Sequence, residues 1–225
     1  MPEAVLRAEI CEAGRRLYQR NLVAATDGNL SVRLLDGTFL CTPSGVSKGF
    51  MQPEDLVVVD AQGQRLRGTG KVTSEFFTHL AAYVARPEIA AVVHAHPPAA
   101  TALTLAGVDL CVPLLPDAIM AFGGIPTAPY ATPGTREGAE AIRDLIGQCD
   151  AVLLDRHGAV TVGASVMEAY FKMEKLEHVA QTIALARAIT PLTPLDDDAV
   201  ARAMDARRDY GAKGKAFPMA TSADR

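Results

Sequence analysis

No stretch of this sequence is apolar over anything close to the roughly 20 residues that a helix needs to cross a bilayer, and its first residues reach Glu3, Arg7 and Glu9 without a hydrophobic run. A membrane partner and a secretory leader are therefore not expected, and the chain reads as cytoplasmic. Basic residues do not predominate: 22 Lys and Arg face 26 Asp and Glu, for a formal charge of -4, and they stand singly. Without a basic stripe there is nothing to neutralise a phosphate backbone, which excludes nucleic acid as a partner. The four cysteines, Cys11, Cys41, Cys111 and Cys149, are far apart, form no Cys-x-x-Cys and sit mostly among apolar neighbours. They read as reduced core residues and not as a disulfide frame or a structural zinc site. Walker and dinucleotide glycine patterns are missing, and so is any internal repeat.

What is present is globular composition, 49% hydrophobic and 21% charged over 225 residues, with no break that would split the chain. One domain over residues 1–210 is expected, with a loose tail over 211–225. Leu6, Ile10, Ala13 and Leu17 recur at helical spacing and predict a first helix over about 3–20. Alternation in Leu30–Leu34, the Asp36-Gly37 turn and the runs 38–41 and 56–59 predict an antiparallel meander. The period then changes. Thr73 and Ser74 offer hydroxyl caps for an alanine-rich helix ending near Arg86, and a buried strand over 90–96 follows. Further helices are expected over about 99–106, 134–146, 166–189 and 196–208, with strands over 151–154 and 159–162; the proline-dotted segment between 107 and 133 gives no clear pattern.

The strand Ala90–His96 carries the sharpest chemical signal. Alternate side chains of a strand share a face, so His94 and His96 point the same way, their backbones roughly 7 Å apart, and can converge on one ion. His157, at the mouth of another strand beside Gly158, would make a third imidazole, the ligand count of an open catalytic zinc site. Glu75 opens a helix, where an acidic residue commonly serves only the dipole. The turns Gly28-Asn29 and Ser44-Gly45, together with the hydroxyls of Thr73 and Ser74, have the composition of an anion cradle. His79 and His178 lie inside helices and read as structural.

Taken in order, Gly28-Asn29-Leu30-Ser31, Thr42-Pro43-Ser44-Gly45, Ser74-Glu75, His94-Ala95-His96, His157-Gly158 and the segment Ala128–Thr135 resemble the class II aldolase/adducin family over nearly the whole chain. The resemblance implies a three-layer αβα fold of the α/β class, with a mainly antiparallel central sheet flanked by helices, and a homotetramer with active sites at subunit interfaces. It implies that His94, His96 and His157 hold Zn2+, with Mn2+ or Co2+ as substitutes. Glu75 would approach the same metal and act as the base, and Gly28, Asn29, Ser44, Gly45, Thr73 and Ser74 would bind a sugar phosphate. Tyr210 matches a tyrosine that donates a proton in a neighbouring subunit's site. The family's aldolases carry another tyrosine soon after the His-x-His strand, where this sequence reads Leu114-Leu115-Pro116-Asp117-Ala118. Asp117 is the candidate acid or base to replace it. The implied reaction is reversible cleavage of a ketose 1-phosphate, of the L-fuculose, 5-deoxyribulose or methylthioribulose type, to dihydroxyacetone phosphate and an aldehyde. The alternative is an epimerase, dehydratase or decarboxylase of the same family, and a third is a non-catalytic module like the adducin head.

Overall fold

A computed structural model describes residues 1–209 and 212–221. Its centre is one eight-stranded sheet built from β1 (Asn29–Arg33), β2 (Phe39–Cys41), β3 (Val57–Val59), β4 (Arg65–Arg67), β5 (Ala91–Ala95), β6 (Thr127–Ala128), β7 (Ala151–Leu154) and β8 (Gly158–Gly163). The spatial order is β4-β3-β2-β1-β5-β8-β7-β6. Every pairing is antiparallel except β6 on β7. The expected meander is the first half of this sheet, and the histidine strand β5 lies at its middle, between β1 and β8.

Helices cover both faces: α1 (Glu3–Gln19), α2 (Phe76–Ala85), α3 (Pro98–Leu105), α4 (Pro116–Phe122), α5 (Arg136–Ile146), α6 (Val166–Ile189) and α7 (Asp197–Asp209). Strand alternation sorts the core into two. Leu30, Val32, Ala91, Val93 and Ala95 pack with Ile10 and Leu17 of α1, Leu103 of α3 and Met173 and Leu176 of α6. Val92, Val152, Val160 and Val162 face the other way, onto Phe76, Ala82 and Tyr83 of α2 and Ile142 and Ile146 of α5. His94 shares the face of Val92, so the site belongs to the α2–α5 layer.

Three local features differ from the sequence reading. Strand β4 has all three residues exposed at the sheet edge and so carries no apolar pattern to detect. The hydroxyls of Thr73 and Ser74 are not the N-cap of α2: Glu75 holds that position, and Thr73 Oγ1 accepts from the Glu75 backbone at 3.3 Å. Residues 212–221 are not loose, because Phe217 exchanges backbone hydrogen bonds with Phe122 and Gly124, and Ala220 donates to Cys111. Among the described residues, no helix is long and apolar enough to cross a membrane.

Candidate metal centre

The open end of β5 delivers two of the donors. Asn29 of β1 is paired with His94, and Ala159 of β8 with Ala95, so the side chains of His94 and His96 emerge between two neighbouring strands. His157 comes from the short turn joining β7 to β8. Its backbone N–H donates to Leu154 at 3.1 Å, and Arg156 before it takes a left-handed φ of 58°. A non-glycine residue pays about 1 kcal/mol for that conformation, and the turn is thereby held tight enough to carry the ring inward. Gly158 follows because a Cβ there would stand 2.3 Å from the carbonyl oxygen of Ala95. Glu75 comes from the opposite direction, at the head of α2.

One donor atom from each of Glu75, His94, His96 and His157 lies within 4.8 Å of all the others, so this group could hold a metal ion. The hydrogen bonds around it say which atoms are available. His94 is fully buried and its Nδ1–H donates to the Ala159 carbonyl at 3.0 Å, which leaves Nε2 as a bare lone pair. His96 directs Nδ1 to the Asp27 carboxylate at 3.4 Å, which likewise leaves its Nε2 bare. Those two Nε2 atoms face one another at 3.1 Å. Two lone pairs at that distance repel unless a cation lies between them, and a backbone carbonyl and a carboxylate behind ligating imidazoles form the outer shell that metal sites use. The donor set therefore fits a divalent ion.

Glu75 completes the group, with Oε2 at 3.3 Å from His94 Nε2 and Oε1 at 3.7 Å from His157 Nε2. Burial, and then the nearby Asp27 charge, push its carboxyl up to about 7. A dication seated on the imidazoles would pull it back down. Burial also drives the imidazolium forms out: His157 is lowered to about 4, and His94 and His96 are lowered as well. The rings are held neutral, the state in which they ligate.

Register brings the turns named for an anion cradle close to one another. Asn29 lies across from His94, and extension of the β1–β2 pairing brings Pro43 alongside Asn29. Pro43 in turn bridges Val72, and Ser44 donates its backbone N–H to Lys71 at 2.8 Å. Asn29 thus stands beside His94, Thr73 beside Glu75, and the strand extension that carries Ser44-Gly45 lies between the Gly28-Asn29 and Thr73-Ser74 turns. Gly28 takes a φ of 71° with His94 O 3.0 Å from where its Cβ would stand, a position only glycine fills without strain. Two residues that the sequence reading passed over hold these turns in place. Asp27 backs His96, and the buried ammonium of Lys48 donates to Thr26 O at 2.8 Å and Val46 O at 2.5 Å, tying the first two turns to each other. Burial lowers Lys48 to about 8. Neither lies in a motif that spacing would reveal. Pro129, Ala131, Pro133 and Gly134 close a narrow crevice over Glu75 and His157.

Asp117 is not brought to this group within the chain. It sits in the first turn of α4, its side chain 74% exposed, and accepts from Lys175 Nζ at 2.7 Å. The ammonium holds its carboxyl below the usual range, so it is an ion-paired surface anion and no poised acid. Tyr210 lies outside the described residues.

Residues 8–184 match the family described as class II aldolase and adducin N-terminal domain. The chain is 40% identical over 183 residues to 3-oxo-tetronate 4-phosphate decarboxylase of Cupriavidus necator, covering 80% of this chain and 83% of that one. It is 33% identical over 209 residues to L-fuculose phosphate aldolase of Escherichia coli K12, covering 92% and 95%. The crystal structure of YgbL from Escherichia coli superposes with a TM-score of 0.82 at 35% identity, covering 90% of this chain and 99% of that one.

Proposed function

The chain belongs to the class II aldolase and adducin family, and from that premise we propose that it is a metal-dependent decarboxylase of a phosphorylated 3-oxo sugar acid, of the 3-oxo-tetronate 4-phosphate type. The observation that carries the reading is the 36–40% identity to decarboxylases of that name, against 33–38% to L-fuculose phosphate aldolases. Aldol cleavage, placed first on sequence grounds, becomes the second reading. It keeps the support of a longer match, over 92% of the chain.

The two reactions share most of their path. In a 3-oxo acid the electron pair of the bond to the carboxylate moves toward the ketone, carbon dioxide leaves and an enediolate remains. Cleavage of a ketose 1-phosphate leaves the same enediolate, but a base must first take the proton of the hydroxyl whose carbon becomes the aldehyde. A leaving carboxylate has no such proton. This chain has no tyrosine in Leu114–Ala118, where the family's aldolases carry one, and Asp117 in that segment is committed to Lys175. The missing phenol is what decarboxylation can do without.

His94, His96 and His157 would hold the divalent ion, which when bound acts as a Lewis acid on the ketone and adjacent hydroxyl oxygens. Glu75 is assigned the proton transfer. Its buried carboxyl, at 3.3 Å from His94 Nε2, passes a proton taken up from solvent to the enediolate carbon and gives dihydroxyacetone phosphate; in the reverse sense it is the base. Gly28, Asn29, Ser44, Gly45, Thr73 and Ser74 are assigned the phosphate, with donors fixed before substrate arrives. Tyr210 keeps the role that the resemblance implies, in a neighbouring subunit's site of a tetramer.

Product analysis tests the reading. Freshly prepared 3-oxo-tetronate 4-phosphate should release carbon dioxide and dihydroxyacetone phosphate with a kcat/KM about a hundredfold above that for cleavage of L-fuculose 1-phosphate. Efficient aldehyde release from the ketose phosphate, with the 3-oxo acid left untouched, would reverse the assignment.

A further inference from the structure

His79 lies one helical turn beyond Glu75 on α2, and its ring is completely buried against the sheet. It is the centre of a chain of hydrogen bonds. Nε2 is 2.5 Å from Asn29 Oδ1, and Nδ1 is 2.6 Å from Ser31 Oγ. Ser31 Oγ is in turn 2.9 Å from the hydroxyl of Tyr83, which is also buried. Asn29 and Ser31 are alternate residues of β1, so both point to the α2 side, and Asn29 stands opposite His94. Asn29 thus links the ring of His79 to the strand position opposite His94.

The directions of these bonds follow from one another. An amide oxygen only accepts, so His79 Nε2 must carry the proton given to Asn29 Oδ1. Nδ1 is then the acceptor and Ser31 donates to it, while the Tyr83 hydroxyl has both Ser31 Oγ at 2.9 Å and the Ala90 carbonyl at 3.4 Å as acceptors. Burial lowers His79 to about 3, so the ring stays neutral and a single tautomer is held. With its oxygen engaged by His79, the amide nitrogen of Asn29 is the end turned away from the ring. The opposite tautomer would demand the opposite amide orientation and would present an oxygen to an anion.

We infer that His79 is a positioning residue for the phosphate subsite: through the Tyr83–Ser31–His79 chain it fixes the Asn29 carboxamide with its N–H donors facing the substrate's phosphate. The inference rests on the assignment of Asn29 to phosphate made above. It also takes His79 out of the group of merely structural helix histidines.

Inorganic phosphate as a competitive inhibitor of the metal-loaded enzyme is the probe. His79→Leu, which leaves no donor for Asn29, should raise the phosphate inhibition constant and the substrate KM about tenfold while kcat stays within about threefold, the size of a hydrogen bond to a charged group. His79→Gln, which can place an N–H near the position of Nε2, should recover most of that loss. Asn29→Ala is the reference. If it leaves phosphate inhibition unchanged, the phosphate assignment itself fails and this inference with it. If it weakens inhibition while His79→Leu does not, or if the Gln variant is as weak as the Leu variant, only the positioning role is overturned. Should the Leu variant not fold, long-range 15N NMR of the zinc-loaded wild type decides: a neutral ring protonated at Nε2 supports the role, and protonation at Nδ1 overturns it.

Discussion

Two buried clusters of ionisable side chains occupy opposite ends of the β7–β8 hairpin, and they are built on opposite principles. At the start of β7, Asp150 receives Arg86 at 3.0 Å and Lys172 at 2.7 Å, while Arg86 also donates to the Cys149 carbonyl and Lys172 to that of Val162. Anion and cations answer one another, and every partner is supplied by the chain. At the other end, His94, His96, His157 and Glu75 bring together acceptors and lone pairs with no cation of their own. A cluster complete in itself holds the fold. One made only of donors to a metal is arranged for something the chain does not contain.

Substitutions should separate the two ends cleanly. The largest effect is expected from Glu75→Gln, which should cut turnover by about 10²- to 10⁴-fold, the usual worth of a placed acid or base, with the metal content by elemental analysis unchanged. Near-normal turnover would remove Glu75 from the proton path. At the other end, Asp150→Ala strands a buried guanidinium and should cost about 3–5 kcal/mol in denaturant unfolding, with turnover per folded molecule preserved. Acid should come next. His79 is held at about 3, far below its unfolded value near 6.5, so the unfolded chain takes up a proton that the native one refuses. That contribution is complete above pH 6.5 and is lost as pH falls toward 3, amounting to roughly 3 kcal/mol between pH 7 and pH 4. His79→Gln should make that limb of a stability-versus-pH curve shallower by one proton, with His94, His96 and His157 supplying what is left, and an unchanged limb would contradict the burial argument. Smallest of all, Asp117→Asn breaks an exposed pair with Lys175 and should change stability by less than about 1 kcal/mol and turnover by less than about threefold. A large loss of turnover would return Asp117 to the chemistry.

The metal end was legible in the sequence because strand alternation alone places His94 and His96 on one face, and because a turn at the end of another strand is a standard place for a third ligand such as His157. The meander and the long helix, which Ser165 caps by accepting from Glu168 at 3.1 Å, were legible for the same local reasons. What escaped the sequence is held by tertiary contacts. Edge strand β4 has no buried face to leave a pattern. Residues 212–221 are fixed by backbone bonds to Phe122, Gly124 and Cys111, which composition cannot show. Asp27, Lys48 and the pairing of Asp117 with Lys175 depend on elements distant in the chain. The choice between aldol cleavage and decarboxylation turns on which group leaves, and the shared metal and phosphate motifs do not encode it.

The account stands on one ion per chain at the histidine end. Calorimetric titration of zinc into chelator-stripped protein should show a single tight site, weakened at least about a hundredfold in His96→Ala and unaltered in His178→Ala. A stripped chain that takes up no ion, or a His96→Ala variant that binds as tightly as the wild type, would contradict it.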